Sequence, residues 1–254
     1  MPSLSPAVSL LALALLVSPI TPTQAADLKA LAGGGIAGPL RELGPQFERA
    51  SGHKIVFQFG TTPELIKLAT SGEPFDLAVT PREVFADAGA KARFVAGPTT
   101  DIARVGLGVA VRAGAGKPDI GTPDALKAAL LKAQSIATIP ASAAGAQVLR
   151  VFDRLGIGEA MKAKTKAQGA PAGIVEAVAK GEAELGVFLT NTLIAPGVDL
   201  VGPFPAEVQQ EVVYIAAVAA NARDADAAKA FLVFLTTGAA AAVIKAKGME
   251  PAGR

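Results

Sequence analysis

Apolar residues along the chain follow two alternating patterns. Short continuous apolar runs bounded by glycine, proline or threonine read as buried strands. Stretches with apolar residues three and four positions apart read as amphipathic helices. The first pair is Leu28 to Leu31, then Leu40 to Ala50, where Leu40, Leu43, Phe47 and Ala50 share one helical face. Ser51-Gly52 ends that helix, and Ile55 to Phe59 is a second strand. Thr62-Pro63-Glu64 combines a threonine cap, a proline at the first helical position and an acid in the first turn, so it opens a helix running to Ser71-Gly72. A third strand, Phe75 to Val79, leads through Thr80-Pro81 to a helix over Arg82 to Gly89. Strands alternating with helices imply a largely parallel sheet covered by helices.

The rhythm changes at Asp101. Ile102 to Val111 is a longer β-rich run ending in the flexible Ala113-Gly114-Ala115-Gly116, and it reads as a crossing into a second lobe. That lobe takes a helix over Ala125 to Lys132, a strand over Ser135 to Ile139 and a helix over Gln147 to Leu155. A small linking segment follows, then a helix over Ile174 to Lys180 and strands over Leu185 to Leu189 and Val198 to Val201. Glu211 to Val218 reads as the strand that returns the chain to the first lobe, where Asp224 to Thr236 and Ala239 to Lys247 are helical. The expected layout is a leader at 1–25, a first lobe from 26–103 and 214–254, and a second lobe at 104–213.

Helix starts carry the chemistry. Gly34-Gly35-Ile36, Thr61-Thr62, Ala143-Ala144-Gly145 and Ala172-Gly173 each follow a strand or an extended segment, and all are small and uncharged. In a parallel sheet such starts lie at the C-terminal strand ends, where open α/β folds bind ligands. Backbone N–H groups and helix dipoles there favour a small anion. Gly33-x-Gly35-x-x-Gly38 also matches the dinucleotide fingerprint. That reading needs an acid after the second strand to hold the ribose, and Gly60-Thr61-Thr62-Pro63 has none at its tip.

Composition narrows the function. Ala7 to Val17 is an apolar run of signal-core length, broken by Ser18, Pro19 and Pro22, and Thr23-Gln24-Ala25 fits a cleavage site before Ala26. A freely soluble periplasmic product is expected. Cys is absent, so packing alone must hold an exported fold. Lys and Arg number 24 against 22 Asp and Glu, which is too even for a nucleic-acid binder. With no Cys, no thiol nucleophile exists. The single histidine, His53, reads as an exposed loop residue, serines are sparse, and no spacing suggests metal ligands. These features predict a binding protein with no cofactor, no metal and no enzymatic activity. An exported enzyme using a carboxylate pair is the alternative of another class. Arg82, placed just after the third strand, is a candidate for facing the cleft and pairing with a carboxylate.

Three stretches carry a resemblance: Ala32-Gly33-Gly34-Gly35-Ile36, Phe59-Gly60-Thr61-Thr62 and Gly72-Glu73-Pro74-Phe75-Asp76-Leu77. Ala144-Gly145, Leu185-Gly186-Val187 and the tail Gly248-Met249-Glu250-Pro251 extend it. Across nearly all of the chain after the leader, the sequence resembles the periplasmic molybdate-binding protein family, the solute-binding component of an ABC importer. The resemblance implies a two-lobed periplasmic-binding-protein fold of type II. Each lobe would be a mixed sheet flanked by helices, and the ligand cleft would lie between the lobes. It implies a small oxyanion ligand of the molybdate or tungstate kind, a small organic carboxylate being the runner-up. Partners would be that anion and a membrane permease, with no nucleic acid, and the protein would be a monomer that closes by a hinge. By the same resemblance, Gly35 stands where the family has a serine, Thr62 keeps a hydroxyl contact and Ala144 keeps a backbone contact. Pro171 stands where a backbone N–H would bind, with Ala172 able to substitute, and Leu189 stands where a tyrosine hydroxyl helps.

Overall fold

The computed structural model describes residues 25–253, so the expected leader lies, except for Ala25, outside the described residues. The first lobe begins with β1 (Asp27–Gly33), a 3₁₀ turn at Gly34–Ile36 and α1 (Ala37–Ser51), then β2 (Lys54–Gly60), α2 (Thr62–Thr70), β3 (Leu77–Pro81) and a single turn α3 (Ala88–Lys91). The crossing strand β4 (Thr100–Arg112) leads to α4 (Pro123–Lys132), β5 (Ile136–Thr138), α5 (Ala143–Arg154), α6 (Gly158–Lys164) and β6 (Thr165–Ala167). Then come α7 (Pro171–Ala179), β7 (Leu185–Leu189), β8 (Val198–Pro203), β9 (Glu211–Val218), α8 (Ala225–Leu235), α9 (Gly238–Ala246) and β10 (Glu250–Pro251).

The strands follow the order β2-β1-β3-β9-β4-β7-β5-β6. β1 pairs in parallel with β2 and β3, and β5 pairs in parallel with β6 and β7. The antiparallel strands β4 and β9 form the seam between these two parallel sets. Thr100 to Gly106 of β4 pair with β9, while Leu107 to Arg112 pair with β7 and β8. One strand therefore belongs to both lobes. The fold is the two-lobed binding-protein type, with mixed sheets flanked by helices.

Packing follows the apolar faces. Leu40, Leu43 and Phe47 of α1 are buried, and Phe47 meets Phe231 of α8 edge to face at 4.9 Å. The returning helices thus complete the first lobe's core. In the second lobe Val148, Val151 and Phe152 of α5 are fully buried beside Leu126, Leu130 and Ile136. Each such side chain contributes about 1.5–3 kcal/mol of burial.

Three local readings are corrected. The helix expected over 82–89 is a 3₁₀ segment, Arg82–Ala86, followed by α3. Asp87 adopts an extended backbone and its side chain accepts the Ala90 N–H, so it caps a new turn and breaks the longer helix. The linking segment after α5 holds α6 and β6, whose only buried residue is Met161, leaving little apolar periodicity to read. His53 is 7% exposed and lies inside: its Nδ1 accepts the Ala26 N–H at 3.0 Å and its ring stacks on Phe47. The chain turns back under the start of β1 there, which covers the ring.

Candidate functional site

The C-terminal ends of β1, β2 and β5 point toward the gap between the lobes, where the helices that follow begin. The starts of α1, with its preceding 3₁₀ turn, and α2 come from one lobe, and those of α5 and α7 come from the other. They surround a cavity of about 380 Å³ lined by Gly34, Gly35, Thr61, Thr62, Ser142, Ala143, Ala144, Ala170, Pro171 and Ala172. Arg41, Phe59, Glu64, Phe188 and Tyr214 also line it. Hollows of about 620 and 870 Å³ lie elsewhere, at the base of the second lobe and along β1 and β2, and none of these four helix starts lines them. The cleft is therefore the candidate site.

Local chemistry shapes each helix start. The α2 cap is Thr61, one residue earlier than expected, and Glu64 accepts from both the Thr61 N–H at 2.7 Å and its hydroxyl at 2.8 Å. These bonds, the backbone one foremost, hold the Glu64 carboxyl below its ordinary range. The earlier cap frees the Thr62 hydroxyl to face the other lobe, where it accepts the Ala143 N–H at 3.0 Å. At α5, Ser142 Oγ accepts the Gly145 N–H at 3.0 Å. At α7 the proline ring removes the N–H of Pro171, so Ala172 presents the first amide of that helix.

Gly35 and Tyr214 belong together. A Cβ at Gly35 would collide with the Tyr214 hydroxyl and with Leu189 Cδ1. Tyr214, on β9 opposite Pro81, thus delivers a hydroxyl to the point that a residue-35 side chain would otherwise fill. The tyrosine is 2% exposed. Burial and then the charge of Glu83 push its hydroxyl above the usual tyrosine range, against the Gly35 amide, which hydrogen-bonds to it.

Of the predicted site residues, Gly34, Gly35, Thr61, Thr62, Ala144, Pro171 and Ala172 line the cavity. Four do not. Ile36 is fully buried in the lobe core. Gly145 has its N–H taken by Ser142, and a Cβ there would collide with the Ile139 carbonyl, so it is a packing glycine under the end of β5. Leu189 is buried in β7, pairs with Leu107 and closes the cleft floor behind Gly35. Arg82 points away: its guanidinium pairs with both Asp101 carboxylate oxygens at 3.0 Å on the surface. The extended Asp101 across the sheet gives it a nearer partner than the cleft.

Arg41, Glu64, Ser142 and Tyr214 were not anticipated as site residues. The signal for Arg41, its place one helical turn after Ala37, becomes legible only once Ala37 is known to line the cavity. The Arg41 guanidinium sits 5.1 Å over the Phe59 ring, which also lines the cavity. Tyr214 had none beyond its uniqueness. Among the described residues, no group of three or more His, Asp or Glu side chains could hold a metal ion. The Gly33-x-Gly35-x-x-Gly38 spacing is not a nucleotide site. Open space surrounds Gly38, where that fold needs a glycine for close helix packing.

The lobes touch across the cleft at several points. Besides Thr62 and Ala143, the Asn191 side-chain amide donates to the Gly35 carbonyl at 2.8 Å. Gln147 Nε2 of α5 lies 3.5 Å from Glu83 Oε1. The arrangement is a closed one.

Fold and site together define a two-lobed binding-protein fold with four helix starts around its cleft. The sequence profile of the bacterial extracellular solute-binding protein family matches residues 28–250, and the chain belongs to that family. It is 35% identical to an aconitate isomerase of a Pseudomonas species, over 97% of each chain. It is 29% identical to the molybdate-binding protein ModA of Azotobacter vinelandii, over 89% of this chain and 90% of that one. The solved periplasmic molybdate-binding protein of Azotobacter vinelandii has the same fold. Its TM-score is 0.74 at 20% identity, covering 87% of this chain and 98% of that one. The resemblance to the molybdate-binding family therefore holds in sequence and in fold, with this chain a divergent member. The expectation of no enzymatic activity is corrected, because a full-length relative at 35% identity is named for a reaction. That expectation rested on missing nucleophiles and metal ligands. Isomerisation by proton transfer needs neither, only a positioned acid or base.

Proposed function

We propose that this protein is an exported periplasmic member of the family that holds a small polycarboxylate such as aconitate between its lobes and interconverts its double-bond isomers. The donor set of the cleft carries this reading: four helix starts and one guanidinium around about 380 Å³. That volume is near the lower end of the roughly 300–1,000 Å³ typical of small organic ligands. A five-atom tetrahedral oxyanion would fill only part of it. Arg41 suits a bidentate carboxylate contact, and the amides of α2, α5 and α7 suit the remaining carboxylates. The full-length relative named aconitate isomerase supports the same ligand class.

The chemistry is a proton shift. Aconitate carries a methylene carbon beside its double bond. Loss of a proton from that carbon moves the electron pair into an allylic system, and a proton returned at the other terminal carbon leaves the double bond displaced. No atom or electron is gained or lost overall. The geometry of the new double bond follows from how the carboxylates are held. Negative charge develops on carboxylate oxygens, where helix starts and Arg41 stabilise it without reorganisation. The test is incubation of the purified protein with each aconitate isomer, followed by proton NMR. Appearance of the opposite isomer is the expected result, and an unchanged spectrum rejects the reading.

A second reading is delivery of a tetrahedral oxyanion, as a monomer, to an ABC permease. It is favoured by the ModA relative and by Thr62 and Ala144 lining the cleft. A thermal-shift comparison separates the two, because ligand at 100 times its dissociation constant stabilises by about 2.7 kcal/mol. Stabilisation by molybdate or tungstate, with none by aconitate, selects the second reading.

A further inference from the structure

Interconversion of double-bond isomers needs a group that takes a proton from the substrate methylene, and the cleft offers few. The ionisable side chains lining the cavity are Arg41, Glu64 and Tyr214, with no lysine, histidine or second carboxylate among the lining residues. Arg41 is permanently protonated. Tyr214 keeps its proton at neutral pH, because burial pushes its hydroxyl further above the usual tyrosine range. The hydroxyls of Thr61 and Ser142 donate within their own turns, to Glu64 Oε2 and to the Ile139 carbonyl, each at 2.8 Å. The Thr62 oxygen accepts the Ala143 N–H. His53, the only histidine of the chain, is committed at the start of β1, where its Nδ1 accepts the Ala26 N–H. Glu64 is left. Its Oε2 accepts both Thr61 bonds, at 2.7 and 2.8 Å, and so closes the cap of α2. Its Oε1 accepts no hydrogen bond among the described residues. The carboxylate lies beside Gly60, a cavity-lining residue at the end of β2, where an added Cβ would come within 3.4 Å of Oε2. Two bonds on one oxygen thus restrain the carboxylate at the cleft wall and leave the other oxygen available. The same bonds favour the ionised form.

We propose that Glu64 is the catalytic base of the isomerisation, its Oε1 taking a proton from the substrate methylene and returning one to the other terminal carbon. The proposal rests on the isomerase reading above. In the first transfer a C–H bond breaks and an O–H bond forms on Oε1. The C–H electron pair joins the allylic system, drawn toward carboxylate oxygens held by Arg41 and the helix starts. In the second transfer that O–H bond breaks and a C–H bond forms at the far end of the allylic system. Glu64 begins and ends ionised, so no oxidant, reductant or co-reactant is needed. The side chain is exposed, so the proton it carries exchanges with water between the two transfers. Substrate protons are then replaced by deuterons in deuterated buffer.

Glutamine serves like glutamate at the third position of a capping box. Glu64→Gln therefore keeps an acceptor for Thr61 and removes only the base. With aconitate in deuterated buffer, the variant is expected to lower kcat by about 10²–10⁴-fold, the range for general acid–base groups. Deuterium entry into the substrate should slow by the same factor. Titration calorimetry should find aconitate bound at least as tightly as by wild type, because a negative charge beside a polyanion has been removed. That split, chemistry lost and binding kept, is one that a purely structural cap does not produce. An active wild type with a Glu64→Gln variant of similar kcat overturns the assignment alone, leaving Glu64 as a cap and the isomerase reading intact. Loss of aconitate binding in Glu64→Gln also overturns it, because the residue then shapes the site and does not act on the substrate carbon. Wild-type protein that turns over neither isomer overturns the isomerase reading and the base with it.

Discussion

At the residue scale, the site turns on which side chains reach the cleft. Arg82 was the arginine expected at the cleft and Arg41 is the one that lines it, a difference their neighbours decide. Arg82 is held outward by Asp101, and both side chains are about half exposed, at 57% and 50%. Such a surface pair is worth about 0–1 kcal/mol. Arg41 lies over Phe59 at the cavity wall. Arg41→Ala should therefore weaken binding of a carboxylate ligand by about 1.5–3 kcal/mol, the worth of a charged hydrogen bond, whereas Arg82→Ala should leave the affinity unchanged. Titration calorimetry with aconitate checks both. Equal losses in the two variants would contradict the assignment. Arg41 was missed because a helix pattern in sequence shows the buried face clearly, while the rotation of its rim toward a cleft depends on how the lobes meet. Tyr214 was missed for a different reason. It reaches Gly35 from a strand far along the chain, and no local spacing encodes that meeting. A side chain at residue 35 would collide with the Tyr214 hydroxyl, so the two positions are coupled in space.

At the element scale, the alternation of strands and helices was legible because each element carries its own period and punctuation. Pro63 and Pro123 mark helix starts, and Gly52 ends α1 with a left-handed backbone, φ 77°. Elements held by few apolar contacts were not legible, as α6, β6 and α3 show. Polar staples between elements are also invisible to periodicity. Glu48, near the end of α1, accepts the Ile55 N–H of β2 at 3.0 Å and meets Lys54 Nζ at 3.5 Å. The backbone bond, above all, holds its carboxyl below the ordinary range. A folded-state pKa depressed below the unfolded value gives stability that is present above the unfolded pKa. That stability is lost as pH falls through the folded one. Glu48→Gln should therefore be less stable than wild type near neutral pH, and the difference should shrink below the ordinary carboxylate range, about 4.3. Denaturant unfolding at both pH values measures it. A gap that holds constant into acid would contradict the staple.

At the scale of the whole molecule, two parallel sets of strands are joined by the shared antiparallel strands β4 and β9. This seam lets four helix starts from two lobes converge, an arrangement that the small, uncharged residues at those starts already suggested. The ligand was the less legible part, because the same amide cradle accepts an oxyanion or a carboxylate. Volume and Arg41 favour the carboxylate, and both depend on how distant segments meet. Proton NMR of the purified protein in deuterated buffer with trans-aconitate tests the central claim most directly. The account predicts that cis-aconitate accumulates to a constant ratio, with deuterium entering at the terminal carbons. A spectrum that stays that of trans-aconitate, without exchange, would contradict it.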